Sequence, residues 1–478
     1  MPESAMPVMR RAGVPEVLPA VMPVLPAVPE VLPAPLPEPV LPARLPLDLP
    51  AEGRAALAAA LDGTLPGRLS GRQCPGRGEL VRDSRDFRWD DAEIARLRGF
   101  LRTVGDRRGR RGRTYPLEYL LALPLVAGMA GDGELDAAAE WAAMAPAGLL
   151  LKLGAPAGRD GNPRRPDATT LGRALAAGAD QEQYDDALCA WTAARARALR
   201  PGMRRHLRID GKAVRGAAPR GGRAPMLLSG IWDDGTTAAQ LPVDVRKTNE
   251  IPVFRQLLEK IPAADLEDAV ITADQMHTQR EHARKIRAAG AHLVFTIGEN
   301  QKKLFRAAGA LPRGSIAGEA WTVDRGHGRV DARTIRTLPP TPLIESLFPH
   351  VVQAFLVERY SYGPDGELLG AIAVLGITSL SPDQAGPADL LAYLRGHWAI
   401  EMHHYIRDVV SGEDSSRIRG AHRAIAAVRN AITGILRLHQ VPNIAAQLRA
   451  NHRDPYRLPL LLLGLVTPLA PNGNPAVT

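Results

Sequence analysis

The sequence predicts an α/β fold that is preceded by a small all-α domain and a disordered, proline-rich arm. Three observations support this prediction. Prolines recur every few residues near the N-terminus, apolar residues then recur at helical spacing, and from about residue 205 short β-branched runs alternate with helical segments. We therefore divide the chain into an arm and linker (1–88), a helical domain (89–200), an α/β domain (201–440) and a C-terminal tail (441–478).

The N-terminal arm has low complexity, since PEVLPA occurs at 15–20 and again at 29–34. Proline at this frequency removes backbone donors and prevents regular helices and sheets, so we expect extended, polyproline-like chain. One short helix is predicted after the arm, in AEGRAALAAALDG (51–63), followed by a linker rich in glycine and arginine.

The helical domain is predicted from apolar residues at helical spacing in four segments: LLALPLVAGMAG, LDAAAEWAAMA, TTLGRALAAG and YDDALCAWTAARARAL. Either Asp167 or Thr169 is a suitable N-cap for the third segment. A glycine-interrupted basic cluster precedes the four segments: Arg102, Arg107, Arg108, Arg110, Arg111 and Arg113. Such a loop suits a phosphate backbone, and the alternative is a solvated loop without a ligand.

The α/β domain opens with three predicted strands, LRID, MLLSGIW and TTAAQLPVDV, and WDDG is the turn between the second and third. A helix follows in NEIPVFRQLLEKI, with Asn249 as its expected N-cap. AVITAD is a strand, TQREHARKIRAAG is a helix that ends at Gly290, and HLVFTIG is another strand. This order, a three-stranded meander followed by alternating helix and strand, predicts a ribonuclease-H-like core.

Residues 300–390 are predicted to form a β-rich insertion, with strands in WTVDRGHGRVDARTIRTL, VVQAFLVERYSY and LLGAIAVLGITSL. A helix follows in DLLAYLRGHWAIEMHHYIRDVV and ends near Gly412. The next helix carries one apolar face: Ile418, Ala421, Ile425, Val428, Ile432 and Leu436. The proline- and leucine-rich tail is expected to pack loosely or not at all.

Three carboxylates stand in settings that fit a two-metal site. Asp210 and Asp274 each follow a short β-branched run, so each is expected at the end of a strand. Glu401 lies on a helix beside an apolar stripe that we expect to face the core: Trp398, Met402, Tyr405, Ile406 and Val409. A charge at the border of a core needs a partner or a metal. Three hard oxygen ligands suit two Mg²⁺ ions roughly 4 Å apart, an arrangement used in phosphoryl transfer.

Each of these carboxylates also has an ordinary structural interpretation. Asp210 and Asp274 are residue types common in turns and at N-caps, and Glu401 could pair with Arg395. Zinc is disfavoured, because neither histidine pair, His277 with His282 or His403 with His404, has the four-residue spacing of a helical zinc site.

Composition narrows the function classes. The formal charge is +9, and only seven of the 60 basic residues are lysines. Arginine binds phosphate bidentately, so a nucleic-acid partner is plausible, although a coding bias towards arginine gives the same composition. Two cysteines, Cys74 and Cys189, without a CxxC argue against a disulfide scaffold. A membrane span and a signal-peptide core are not apparent, so we expect a cytoplasmic, nucleoid-associated protein without a membrane partner.

Ordered blocks over about residues 90–440 carry a resemblance to a known family. The blocks are RRGRRGRTYPLEYLLAL (107–123), RPDATTLGRAL (165–175), IDGKAVRGA (209–217), VRKTNEIP (245–252), TADQMHTQ (272–279), IGENQKKL (297–304), RGHGRVDAR (325–333), HWAIEM (397–402) and SGEDSSR (411–417). In this order they resemble the DDE transposases of bacterial insertion sequences, specifically the ISAs-type group. Two positions depart from the family pattern: Gly298 stands where lysine is common, and Met402 where asparagine is common.

The resemblance implies a catalytic and metal-binding triad of Asp210, Asp274 and Glu401, with two Mg²⁺ ions for which Mn²⁺ is expected to substitute. It places Lys212, Arg215, Lys247 and Arg417 near the scissile phosphate or the DNA end. To these we add Arg110, Arg111 and Arg113 of the basic loop as DNA-binding candidates. The implied partners are double-stranded DNA, at the element ends and the target, and further copies of the chain in a homodimer or larger synaptic complex.

The sequence therefore predicts a transposase that cleaves DNA and transfers strands at the terminal inverted repeats of an insertion sequence. Three alternatives stay open. One is a catalytically inactive, transposase-derived DNA-binding protein, the second is a ribonuclease-H-like nuclease that acts in repair or on RNA, and the third is a globular protein without a DNA role.

Overall fold

The computed structural model describes residues 49–61, 87–131, 133–199, 204–244, 250–326 and 328–468. The predicted proline-rich arm, most of the linker, the predicted cap Asn249 and the DNA-binding candidate Lys247 lie outside this part of the chain. In the described residues, no helix combines the length and the hydrophobicity needed to cross a bilayer.

Up to residue 199 the described chain is mostly helical, as the apolar spacing predicts. Its elements are α1 (Ala51–Leu61), β1 (Phe87–Trp89), α2 (Asp91–Leu101), α3 (Leu117–Met129), α4 (Leu135–Met144), α5 (Ala147–Leu153), α6 (Ala168–Arg173) and α7 (Gln181–Leu199). Every residue of helix α3 except Glu118 is buried, as expected for an apolar central helix, and Glu118 pairs with Arg98 and Arg102. Of the two candidate caps for α6, Asp167 is the one used, since its side chain accepts from the Thr170 amide.

The next strands form one half of a mixed sheet. They are β2 (His206–Ala213), β3 (Met226–Trp232), β4 (Thr237–Val243), β5 (Val270–Ala273) and β6 (His292–Thr296), in the spatial order β4-β3-β2-β5-β6. The first three pair antiparallel, whereas β5 runs parallel to β2 and β6 parallel to β5. Helices α8 (Glu250–Lys260), α9 (Ala263–Leu266) and α10 (Arg280–Ala288) connect them. The predicted strands, the WDDG turn and the helix stop at Gly290 are confirmed.

The predicted β-rich insertion extends the same sheet. After α11 (Lys302–Gly309) come β7 (Gly318–Gly326), β8 (Arg329–Leu338), α12 (Pro342–Leu347), β9 (Gln353–Tyr362) and β10 (Leu368–Thr378). Strand β10 pairs antiparallel with β6, and β9, β8 and β7 follow outward, so nine strands form one sheet in the described residues. The sheet therefore continues past β6 with strands that lie later in the sequence, β7 to β10.

The C-terminal helices join the core of the N-terminal ones. They are α13 (Pro387–His397), α14 (Ala399–Tyr405), a π-helical turn (Ile406–Val410), α15 (His422–Leu438), α16 (Ile444–Arg453) and α17 (Leu458–Leu462), followed by β11 (Val466–Pro468), which pairs with β1. The predicted apolar face of α15 packs into the same cluster as α3 and α7. The prediction of a loosely packed tail is wrong for 441–468, because its leucines complete this core: Leu460, Leu462, Leu463 and Leu465 are fully buried.

Candidate active site

Two aspartates lie side by side where β5 ends. In the parallel pair β2–β5, Ile209 is the partner of Ala273, so Asp210 and Asp274 each follow directly after paired positions. Neighbouring strands are about 4.8 Å apart, so the two aspartates lie next to each other at the C-terminal end of β5. Asp274 leaves the strand as predicted, but Asp210 does not end its strand, because β2 continues to Ala213 in its pairing with β3.

The helical segment around Glu401 contacts both aspartates through histidines. His397 Nε2 lies 3.5 Å from Oδ1 of Asp274, and His404 Nδ1 lies 3.5 Å from Oδ2 of Asp210. His397 is the last residue of α13, and α14 begins two residues later. On α14, Glu401 and His404 are three residues apart, a spacing that puts both side chains on one face of that helix. Glu401 is therefore carried on the segment that touches the aspartate pair from two sides.

A hydroxyl holds one of these histidines. The Thr272 side-chain oxygen lies 3.0 Å from Nδ1 of His397 and 2.8 Å from Nε2 of the buried His206. Thr272 precedes Asp274 by two residues on β5, so strand and helix are tied together beside the carboxylate. Sequence reasoning did not name His397 and considered His404 only as a zinc ligand, although the three-residue spacing of Glu401 and His404 was a signal that could have placed His404 at the site.

Glu401 itself is exposed, and with Asp274 it lines a cavity of about 730 Å³. Among the described residues, no group of three or more His, Cys, Asp or Glu side chains is arranged to hold a metal ion. The structure thus brings Asp210 and Asp274 together, and it leaves Glu401 on the cavity wall without joining it to them.

The apolar stripe beside Glu401 was expected to face the core, and this expectation is wrong. Four of its five members are exposed, by 53–60%: Trp398, Met402, Tyr405 and Val409. The buried face instead includes His403 and Arg407, which find partners inside the protein in Asn430 and Glu413. Because this face turns inward to those partners, the large apolar side chains on the other face are left in solvent.

The two aspartates differ electrostatically. Burial, and then the charge of Asp274, raises the pKa of Asp210 to about 6. The hydrogen bond from His397 lowers the pKa of Asp274, against an opposing effect of burial. Burial also holds the pKa of the His404 imidazole far below its usual range, so this partner is neutral. In the described part of the chain, the two carboxylates have histidines and no lysine or arginine as ion-pair partners. Hard oxygen donors without a lysine or arginine partner fit a divalent cation.

Four arginines also line the cavity. Arg329, Arg333 and Arg359 come from β8 and β9, and Arg395 comes from α13. Two aspartates hold part of this set, since Asp324 lies 2.9 Å from Arg333 and 2.6 Å from Arg395, and Asp331 lies 3.0 Å from Arg333. Four arginines against two aspartates leave an excess of positive charge facing Asp274 and Glu401. Arg329 and Arg333 fall in RGHGRVDAR, where their four-residue spacing on a strand indicates one face.

The predicted DNA-binding residues divide into buried and exposed ones. Lys212 is a correction, because its side chain is 5% exposed and forms ion pairs with Asp408 and, at 3.7 Å, with Glu413. Its charge is thus neutralised inside the protein. Arg215 is 74% exposed and pairs with Asp414 at 3.1 Å, and Arg417 is exposed. Arg110, Arg111 and Arg113 are all exposed between α2 and α3.

Two family models match the chain. The DDE_Tnp_1-associated family matches residues 99–192, and the transposase DDE domain matches residues 191–433, just over half of the chain. The boundary between the two matches falls within α7.

Individual proteins match more weakly. The putative transposase YncI of Escherichia coli O157:H7 is 28% identical over 241 residues, which cover 48% of this chain and 61% of that protein. An uncharacterized protein in the dhlA 3' region of Xanthobacter autotrophicus is 30% identical over 237 residues, or 48% of this chain and 75% of that protein. The chain thus spans less than two thirds of the YncI length. A piggyBac transposase synaptic complex with hairpin DNA matches 79% of each chain at 11% identity, and its TM-score of 0.35 supports no argument about fold.

Proposed function

The chain belongs to the DDE transposases of bacterial insertion sequences, and from this we propose that it cleaves DNA and transfers strands at the terminal inverted repeats of its element. The observation that carries the proposal is the meeting of Asp210 and Asp274 with the helical segment of Glu401 through two histidine contacts. Membership in the ISAs-type group stays a prediction.

The order of the first five sheet strands supports a ribonuclease-H-like core. An antiparallel meander β2–β3–β4 lies on one side of β2, and the parallel strands β5 and β6 lie on the other. In this arrangement one carboxylate stands on the central strand and a second on its parallel neighbour, with a helix supplying the third.

Asp210 and Asp274 are the residues that would hold a divalent cation, and Glu401 would complete the set from the cavity wall. Because Glu401 is not grouped with the aspartates, its side chain would have to turn towards them, or its helix move, when the site assembles. We propose two Mg²⁺ ions, with Mn²⁺ as a substitute. When bound, such ions lower the pKa of an attacking water and stabilise charge on phosphate oxygens.

The chain's own residues supply orientation and charge. His397 and His404 each contact one oxygen of one aspartate, and such partners fix the direction in which a ligating carboxylate points. The arginines that line the cavity with Asp274 suit the backbone of a DNA strand that enters it. The exposed rings of Trp398 and Tyr405 offer stacking surfaces for its bases.

The exposed arginines Arg110, Arg111 and Arg113 would bind the phosphate backbone of duplex DNA. Cleavage at two element ends requires two active sites, so we propose that the chain acts as a homodimer or a larger synaptic assembly. Double-stranded DNA at the element ends and at the target is the proposed partner.

A catalytically inactive DNA-binding protein is the second candidate. It is favoured by one observation, namely that the three carboxylates do not form a metal-ligating group among the described residues. Such a protein would keep the exposed arginines and would not need Glu401 to approach the aspartates.

Cleavage of an inverted-repeat duplex distinguishes the two candidates. We expect the wild type to nick the duplex only with Mg²⁺ or Mn²⁺, and Asp274→Asn to lower the rate by at least about 10³-fold, because a metal ligand is lost. Asp383→Asn is the matched control, since Asp383 is exposed in the turn before α13, and it should cleave normally. If the wild type and Asp274→Asn bind the duplex equally and neither cleaves it, the inactive candidate is correct.

A further inference from the structure

A third acidic side chain, Glu250, lies buried between the two aspartate-bearing segments. It is the first residue of α8 and is 8% exposed. On one side its carboxylate fills the space that the absent side chain of Gly211 leaves. A Cβ atom at Gly211 would lie 2.1 Å from Glu250 Oε1 and 2.4 Å from its carboxyl carbon. Gly211 follows Asp210 directly, so Glu250 packs against the backbone that carries the first aspartate.

On its other side, Glu250 contacts the turn that carries the second aspartate. Its Oε2 lies 3.3 Å from Nε2 of His277, a residue without exposed surface. His277 ends a short 3₁₀ turn (Gln275–His277), and its amide donates to the Asp274 carbonyl at 2.8 Å. One side chain thus bridges the segments that follow Asp210 and Asp274.

Aromatic packing fixes the histidine end of this bridge. His277 packs on the Phe254 ring of α8, with ring centroids 4.9 Å apart, and Phe254 stacks on His282 at 4.1 Å. His282 also contacts the His277 carbonyl at 3.0 Å and the Ile251 carbonyl at 2.9 Å. The start of α8 and the turn after Asp274 therefore form one packed unit.

Burial of Glu250 has a free-energy cost that packing alone does not explain. Among the described residues, its ion-pair partner is His277, and no lysine or arginine pairs with it. A carboxylate removed from water is destabilising unless hydrogen bonds and charge compensate it.

We propose that Glu250 is a positioning residue, which sets the separation of Asp210 and Asp274 and so determines how tightly they bind a divalent cation. This inference rests on the proposed function, because it takes the two aspartates as metal ligands. Residues that orient ligands from behind typically change metal affinity by about 10- to 100-fold when they are removed.

Mn²⁺ binding to the full-length protein without DNA, followed by electron paramagnetic resonance, tests the proposal without relying on activity. We expect Glu250→Ala to weaken Mn²⁺ binding by about 10- to 100-fold. Glu250→Gln keeps the shape and a hydrogen bond to His277, so it should stay within about threefold of the wild type. Glu259→Gln is the matched control, since Glu259 lies on the same helix and pairs with Lys285 at 2.7 Å, and it should bind as the wild type does.

Two results would overturn the proposal. One is a folded Glu250→Ala variant that binds Mn²⁺ within threefold of the wild type, and the other is a Glu250→Gln variant as weak as Glu250→Ala. If Glu250→Ala does not fold, His277→Phe takes its place, because it keeps a ring against Phe254 and removes the contact with Glu250. If His277→Phe binds Mn²⁺ within threefold of the wild type, this would also contradict the proposal that Glu250 positions the two aspartates.

Asp210→Asn and Asp274→Asn separate this inference from the proposed function. If both variants bind Mn²⁺ as tightly as the wild type, the aspartates are not metal ligands and the proposed function fails. If both lose binding and Glu250→Ala does not, the aspartates hold the ion and the positioning role alone is wrong.

Discussion

At the scale of residues, buried polar side chains decide which face of a helix turns inward. Arg407 and Glu413 have no exposed surface, and one guanidinium nitrogen of Arg407 lies 2.8 Å from both carboxylate oxygens. Its other terminal nitrogen lies 3.1 Å from Oδ1 of Asn430. An amphipathic pattern in the sequence assigns charge to the solvent side, so it could not predict that this helix buries an arginine and exposes Trp398.

Asp185 gives a prediction for the dependence of stability on pH. It is 1% exposed on α7 and accepts a hydrogen bond from Gln240 at 3.0 Å. Burial raises its pKa to about 7, whereas an unfolded aspartate titrates near about 3.9. Between these values the folded state binds more protons, so the contribution of Asp185 to stability is present below the unfolded pKa and is lost as pH rises through about 7.

We therefore expect Asp185→Asn to raise Tm more at pH 8 than at pH 5, as measured by thermal melts at both values. Asp186→Asn is the control, because Asp186 is 47% exposed and pairs with Lys260. A Tm difference between wild type and Asp185→Asn that is the same at both pH values would contradict the assignment.

At the scale of elements, local sequence patterns predicted the type and the ends of each helix or strand better than they predicted which elements lie next to each other. The WDDG turn and the helix stop at Gly290 follow from local chemistry and are confirmed, and of the two candidate caps Asp167 and Thr169, Asp167 is the one used. The two aspartates were expected at strand ends, but only the parallel register of β2 and β5 shows that they are adjacent. The contacts of Glu250 with Gly211 and His277 join three segments of the chain, and no local spacing signals such a meeting.

Gly235, in the turn between β3 and β4, gives a prediction at this scale. Its φ is +88°, and an added Cβ would lie 2.6 Å from Cβ of Arg437 on α15. Gly235→Ala should lower the free energy of unfolding by about 1–2 kcal/mol because of the left-handed backbone. The clash with Arg437 should lower it by about 1–3 kcal/mol more. Urea unfolding of the purified variant measures this loss.

Gly161→Ala is the matched control, since Gly161 has a φ of +77° and nothing within 4 Å of an added Cβ. Its free energy of unfolding should fall only by the amount that the left-handed backbone costs. Equal losses for the two variants would mean that the turn does not pack closely against α15.

At the scale of the whole molecule, distant parts of the chain complete each other. β1 pairs with β11, with Trp89 opposite Val466, and the Trp141 indole donates to the Pro455 carbonyl at 3.1 Å. The leucines of α17 fill the core of the N-terminal helices. The hydrophobicity of the tail was visible in the sequence, but its proline content favoured a loosely packed chain. The helices against which the tail packs lie more than 300 residues earlier in the sequence.

The sheet also contains a contact between distant segments that the sequence could not predict. Sequence periodicity predicted the strands of the β-rich insertion, and the resemblance gave the family, yet neither predicted that β10 pairs with β6. That pairing continues the sheet past β6 and lets the arginines of β8 and β9 line the cavity beside Asp274. The domain boundaries predicted from the sequence stay predictions. In the structure, the helices before residue 200 share a core with those after residue 420.

The most direct test of the central claim is a structure of the full chain bound to an inverted-repeat DNA end with Mn²⁺, in which the metal is located by anomalous scattering. We predict a manganese ion held between Asp210 and Asp274, with Glu401 moved from the cavity wall to join them. An ion bound elsewhere, or an empty aspartate pair with Glu401 still apart on correctly bound DNA, would contradict the claim.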